Sequence, residues 1–260
     1  MSESQPSQVF LHDNSDPEMQ RAYDQARTTF RYFWREIAWE KRRIVPALDL
    51  AYIKAPFSDS ERAVPAPGKV AVEQMWMKEI DFDGEIVSGV LLNTPNWLKT
   101  VKAGDSVQMP LNHISDWMYA AGGVVYGAYT VNLMRSRMSE QERRQHDRAW
   151  GLNFGDPRRI RVVPEAQMPE TQEHPMSEAM APVLKDQLAQ NPAIRDAKGD
   201  QGWTLLHDQA LAGSAATVRV LLESGADPNA MTDHGWTPLR CARSLRWDKV
   251  AALLLKSGQG

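Results

Sequence analysis

His113 and Asp116 stand three residues apart, with Trp117 beside the carboxylate and Tyr129 further along. An imidazole and a carboxylate within reach of each other can exchange a proton with a substrate, and the neighbouring rings can line a pocket or meet a sugar face. These residues define one reading, an uncharacterised enzyme with its site around His113, Asp116, Trp117 and Tyr129. The commoner use of such residues is structural: an aspartate ahead of an aromatic at a strand start caps a turn while the ring anchors a core. Convergence of His113 and Asp116 in an open cleft would favour chemistry, and burial of Asp116 under a sheet would favour scaffolding.

The other chemical signatures are sparse. The chain has no His-Glu-x-x-His, no closely spaced cysteine pair, no phosphate-cradling glycine loop ending in Lys-Ser or Lys-Thr, and no Gly-x-Ser-x-Gly turn. Cys241 falls in a helix and reads as a small buried hydrophobe rather than a nucleophile. His12, His146, His174 and His234 are dispersed, and nothing in their spacing points to a metal. The basic runs Lys41-Arg42-Arg43 and Arg158-Arg159 could touch phosphate, but cations at helix ends complement the helix dipole and no larger basic field surrounds them. The expectation is a non-enzyme with no cofactor and no metal, which binds neither nucleic acid nor membrane.

Composition sets the same bounds. With 260 residues the chain can bury one large core or two modest ones, and a formal net charge of -3 gives no field that selects an anionic partner. A lone cysteine cannot form an internal disulfide, no apolar run approaches the length of a membrane span, and the start MSESQPSQVF lacks the basic and apolar regions of a secretion signal. A soluble cytoplasmic protein is expected.

The elements that must position these residues follow from periodicity. Asp16 and Pro17 suit a helix cap and first turn. Met19, Tyr23, Ala26, Phe30, Phe33, Trp34 and Ile37 then recur at helical spacing, with Pro46 as the stop. From Leu48 to Tyr129 the period becomes strand-like: Val70 to Phe82, a tight turn at Asp83-Gly84, Glu85 to Leu92, a short strand at Val107, Ile114 to Tyr119, and Val124 to Val131. A small antiparallel sheet is expected. Ser139 and Glu142 have capping-box spacing and open a polar helix to about Trp150. Beyond Asp156-Pro157, Pro164, Pro169 and Pro175 mark a linker.

Two resemblances carry more. Met75-Trp76-Met77, Lys102-Ala103-Gly104-Asp105, Ile114-Ser115-Asp116-Trp117-Met118, Gly127-Ala128-Tyr129-Thr130 and Phe154-Gly155-Asp156-Pro157 occur in an order that resembles the YegJ-like bacterial domain of unknown function. That resemblance implies a compact α+β fold and no activity. Further on, Gly202-Trp203-Thr204-Leu205-Leu206-His207 recurs as Gly235-Trp236-Thr237-Pro238-Leu239-Arg240, and Leu221-Leu222-Glu223-Ser224-Gly225 recurs as Leu254-Leu255-Lys256-Ser257-Gly258. A period of about 33 residues with this pattern resembles ankyrin repeats. Leu184 to Ala197 fits the second half of an earlier unit, so about two and a half repeats are present. Leu205, Arg240 and Arg243 replace the usual proline, histidine and alanine. Because so short an array leaves an apolar face uncovered, it should dock on the first domain or on a partner.

The resulting expectation is a disordered tail over 1–15, an α+β domain (helix plus small antiparallel sheet) over 16–157, a linker over 158–178, and an all-α ankyrin array over 179–260. Ankyrin resemblance implies protein binding through loop tips and exposed first-helix positions. Mapped onto this chain, those are Asp200, Gln201, Trp203, Leu211 and Ala212 in one unit and Asp233, His234, Trp236, Ser244 and Leu245 in the next. Trp203 and Trp236 are either interface anchors or rings packed between adjacent loops. A domain of unknown function joined to a repeat binder is similar to the immunity proteins, or antitoxins, that neutralise secreted bacterial toxins. A general ankyrin adaptor is the third reading.

Overall fold

The computed structural model describes residues 16–59, 72–165 and 173–258. The tail, Val70 and Ala71 of the strand expected over Val70 to Phe82, and part of the expected linker lie outside the described residues. The chain divides into two units: Met1–Thr29 with Ala47–Arg161, and Phe30–Pro46 with Val162–Gly260. Among the described residues no helix is long and apolar enough to cross a membrane.

Helix α1 (Pro17–Glu40) begins where the Asp16 carboxylate accepts the Glu18 and Met19 amides at 2.9 and 3.4 Å. It ends short of Pro46, the turn being closed by the amides of Arg42 and Arg43 on the carbonyls of Trp39 and Glu40. The apolar stripe is continuous, but its first half belongs to the first unit and its second half to the second.

In the first unit, β1 (Leu50–Phe57), β2 (Glu73–Phe82), β3 (Ile86–Leu91), β4 (Ser106–Pro110), β5 (Asp116–Ala121) and β6 (Val124–Gly127) form one antiparallel sheet in the order β4-β3-β2-β1-β5-β6. Asp83 makes the β2–β3 hairpin by accepting the amides of Glu85 and Ile86. Strand alternation sends Trp117 and Tyr119 to one face and Met118 and Ala120 to the other. On the first face the Trp117 indole N–H donates to the Ala26 carbonyl at 2.8 Å, the Arg27 Nε donates to the Ile114 carbonyl, and the Thr29 and Tyr129 hydroxyls meet at 2.7 Å. These bonds fasten the first half of α1. On the second face Met118 and Ala120 pack with Trp76, Val125, Ala128 and Phe154. β5 is therefore buried on both sides, which is why its sequence reads as a nearly unbroken apolar run.

The strand expected to reach Val131 instead stops at Gly127, and α2 (Tyr129–Ser136) follows at once. Gly127 and Ala128 adopt left-handed backbone with φ of 72° and 57°, turning the chain. The carboxylate of Asp116 then accepts the first amides of the new helix. β-branched Val131 has a strand preference that this distant cap overrides. Helix α3 (Glu140–Trp150) carries the expected capping box between Ser139 and Glu142 and buries none of its residues.

In the second unit α4 (Pro175–Gln190), α5 (Leu205–Leu211), α6 (Ala215–Glu223), α7 (Pro238–Ser244) and α8 (Asp248–Ser257) stack as ankyrin layers, α4 on α6 on α8 and α5 on α7. That is one half unit and two full ones. α4 begins at Pro175, so the last residues of the expected linker are helical. The antiparallel arrangement gives the array two edges. One collects the loops before α5 and α7, and the opposite one collects the starts of α4, α6 and α8 with the ends of α5 and α7. The second half of α1 lies at the latter: Tyr32 meets Trp247 edge-on at 6.1 Å, Arg31 Nη1 donates to the Arg246 carbonyl, and Trp39 stacks on His174.

Gly127 tests the strand-to-helix switch. A Cβ there would come within 2.4 Å of the Trp117 ring and carbonyl, whereas one at Gly122, also left-handed, meets nothing. Gly127→Ala should cost at least about 2 kcal/mol of unfolding free energy and Gly122→Ala about 1 kcal/mol. Urea titration of both variants checks this, and equal losses would contradict the packing.

Candidate interaction surface of the repeat array

The loop edge of the array is built by short backbone bonds. The Gly199 amide donates to the Trp203 carbonyl at 2.7 Å, and the Thr232 amide to the Trp236 carbonyl at 3.0 Å, so each unit presents a narrow tip. The Asp233 amide donates to the Gln201 carbonyl at 2.8 Å and ties successive tips together. Gly202 has no room for a side chain, since a Cβ would lie 2.7 Å from the Asp233 carboxylate. Gln201 takes a positive φ of 54°, a conformation that costs a non-glycine residue about 1 kcal/mol and fixes the apex.

Buried His207 locks the tips to the helices. Its Nδ1 accepts the Thr204 amide at 3.2 Å, which leaves Nε2 as the protonated nitrogen donating to the Trp236 carbonyl at 3.0 Å in the next unit. Burial pushes its pKa down, partly offset by hydrogen bonds to the backbone of Trp236 and Ala230. Trp203 lies edge-on to His207 at 5.5 Å, and the Arg240 guanidinium covers the Trp236 ring at 4.0 Å. Arg240, which departs from the repeat pattern, thus has a stacking role. Both tryptophans are half-buried against their own scaffold.

In the first unit Asp116 is fully buried. Its two oxygens accept the amides of Trp117, Tyr129 and Thr130 and the Thr130 hydroxyl at 2.6–2.9 Å. Burial pushes its pKa above the usual carboxylate range, opposed by the Thr130 hydrogen bonds and by the Lys54 ammonium; burial in turn lowers the pKa of Lys54. His113 is exposed on a separate turn, Leu111–His113. The two do not form an acid/base pair. Asp116 caps α2 and Trp117 is held by Ala26, which is a scaffolding arrangement.

Residues 16–154 match the family described as uncharacterized protein conserved in bacteria (DUF2314), and residues 177–260 match ankyrin repeats. The chain belongs to the DUF2314 family. A protein of Neisseria meningitidis serogroup B named for ankyrin repeats is 43% identical over 251 residues, covering 95% of this chain and 97% of that one. The Escherichia coli protein YegJ is 30% identical over 94 residues, which is 36% of this chain and 56% of YegJ. A human protein named as a tRNA endonuclease is similar over 23% of this chain, within 9% of its own length.

Ankyrin repeats are protein-binding units, and this DUF2314 chain exposes only part of the expected set. Asp200, Gln201, Asp233, His234 and Ser244 are exposed, and Trp203 and Trp236 are half-buried. Leu211, Ala212 and Leu245 are corrected to core positions, at 2%, 0% and 4% exposure. They sit at the ends of α5 and α7, the edge where α1 lies. There Trp247 donates to the Leu211 carbonyl and presses on Gly213 with Tyr32 and Arg31 at its ring. Ser244, at the same edge, bonds the Cys241 carbonyl and is separate from the tips.

The remaining candidates have local roles. Cys241 is buried, His146 pairs with Asp147, and His174 caps α4 while bonding Glu36. His12 lies outside the described residues. Arg42 bonds the Ala38 carbonyl and Arg43 pairs with Glu40, as expected of a helix end. Among the described residues no three His, Cys, Asp or Glu side chains gather as a metal site. Sequence reasoning missed Lys54 and Thr130 as partners of Asp116, and missed Glu73, whose buried carboxylate accepts the amides of Asn96, Trp97 and Leu98. These pairings span long sequence separations and leave no local pattern.

The lowered pKa of His207 has a pH consequence. The folded chain resists protonation while the unfolded chain accepts it near about 6.5, so this contribution to stability is present above that pH and is lost as pH falls below it. The urea midpoint of unfolding should drop between neutral pH and about pH 5. His207→Asn should flatten that drop while lowering stability at neutral pH, and an unchanged profile would contradict the assignment.

Proposed function

We propose that the chain acts by binding a protein through the tips of its repeats, and that its client is a toxic secreted bacterial effector, which it neutralises as an immunity protein by direct contact. The observation that carries the binding surface is the tied pair of tips, where Asp200, Gln201, Asp233 and His234 are exposed around two half-buried tryptophans. A rigid, preorganised tip loses little conformational freedom on association. Acidic Asp200 and Asp233 favour a client with basic groups facing them. The reading requires no chemical step from this chain.

The effector assignment is supported by the pairing of a domain found in bacteria with a repeat binder, a combination similar to antitoxins encoded beside secreted effectors. Co-expression of the chain with each neighbouring gene product should rescue growth from one of them and recover a complex by pull-down. Failure to bind or protect against all of them removes the effector as client.

Trp203→Ala with Trp236→Ala should weaken a recovered complex by about 2 kcal/mol or more if the rings anchor it. Both rings also pack on the scaffold, so melting temperature is measured alongside, and Asp200→Lys with Asp233→Lys provides a variant on exposed positions. Unchanged affinity in both folded variants would move the surface off the tips.

A further inference from the structure

The first unit contains a cavity of about 400 Å³ lined by Arg143, Arg158 and the turn Gly155-Asp156-Pro157. Arg143 projects from α3, and the other residues follow it in a tight loop. Four arginines converge on this loop in two layers. Arg135 and Arg161 form the inner layer. The guanidinium of Arg135 is spent on the Asp147 carboxylate, the Asn132 amide oxygen and the Gly155 carbonyl, and that of Arg161 donates to the Asn153 carbonyl. Gly155 holds a left-handed φ of 70°, and a Cβ there would sit 2.7 Å from the Arg161 guanidinium, so the loop closes on that cation.

The outer layer differs. Among the described residues neither Arg143 nor Arg158 has a side-chain partner. The only opposing charge in the lining is Asp156, and one of its oxygens is taken by the Arg158 amide at 2.9 Å. Two guanidinium groups against one carboxylate leave a net positive cavity. Planar guanidinium forks match carboxylate and phosphate oxygens in paired hydrogen bonds.

We propose that this cavity binds an oxyanion, the group being clamped between Arg143 and Arg158 while the space beyond accommodates a small organic body. The oxyanion is supplied by a phosphate group or by a carboxylate. This site belongs to the first unit, and it does not depend on the binding reading given for the repeat tips. The pair Arg158-Arg159 suggests a solvated helix end from sequence alone; in the fold both are exposed, on the loop after α3 rather than at a helix end, and Arg158 lines the cavity with Arg143.

The test follows the arginine Nε–H resonances of the full chain in ¹H–¹⁵N spectra, titrated separately with inorganic phosphate and with succinate at fixed ionic strength. Saturable shifts of the Arg143 and Arg158 signals with one common dissociation constant are expected. Response to phosphate alone assigns a phosphate source, response to succinate alone assigns a carboxylate source, and response to both establishes the shared oxyanion chemistry. Arg143→Gln or Arg158→Gln should weaken binding about tenfold or more. Asp156→Asn should tighten it, because an amide oxygen still accepts the Arg158 amide while the repelling charge is gone. Non-saturating shifts with both probes, or binding unchanged in the Arg143→Gln, Arg158→Gln double variant, would overturn the proposal.

Discussion

Tyr32 and Arg31 of α1 enclose the indole of Trp247, and the second unit depends on that contact. An ankyrin layer buries one face only against its neighbours, so two and a half units leave more apolar surface open than a longer array would. Arg31, Tyr32, Glu36 and Trp39 of α1 meet Arg246, Trp247 and His174 of the array. Along this half of α1 Phe30, Phe33, Trp34, Ile37 and Trp39 are all buried, and Trp247 passes the contact on by donating to the Leu211 carbonyl at 3.0 Å. The same seam holds polar groups out of water: Glu36 bonds His174 at 3.2 Å, and buried Arg35 lies 3.6 Å from the same carboxylate. Buried ionic groups of this kind add little net stability, but removing one partner leaves the others uncompensated, so they penalise any other seating of the helix.

This constraint also divides the surface available for recognition. The edge that carries the ends of α5 and α7 meets the second half of α1 through Trp247 and Arg246, and the opposite edge presents Asp200, Gln201, Asp233 and His234 on its tips. Fixing the tips through the Asp233 to Gln201 bond and through His207 makes their spacing a property of the array core. The first unit obeys a comparable logic, with Asp116 buried to start α2 where strand β6 would otherwise continue.

Much of this was legible in the sequence where the determining interactions are local. The Asp16-Pro17 start, the Asp83-Gly84 hairpin, the Ser139 capping box and the repeat period each depend on residues close together in the chain. The aromatic stripe of α1 announced a buried helix, but an apolar stripe looks the same whether it serves one core or contributes to two. Leu211, Ala212 and Leu245 occupy positions that repeat arrays commonly leave exposed, and here they are buried at the edge where Trp247 donates to the Leu211 carbonyl. Val124 to Val131 reads as a strand until the carboxylate of Asp116 is known to lie beside Tyr129. In the same way, Asp116 and His113 suggested chemistry by proximity in sequence, and the backbone turns them to different environments.

The second half of α1 belongs to the array unit and meets it at Trp247. A double-mutant cycle on Tyr32→Ala and Trp247→Ala, read by urea unfolding of the full chain, measures that contact directly. The account predicts a coupling of about 0.5–1.5 kcal/mol between the two sites, the range for an edge-on aromatic pair. Strict additivity, with each substitution costing the same in the presence or absence of the other, would contradict it.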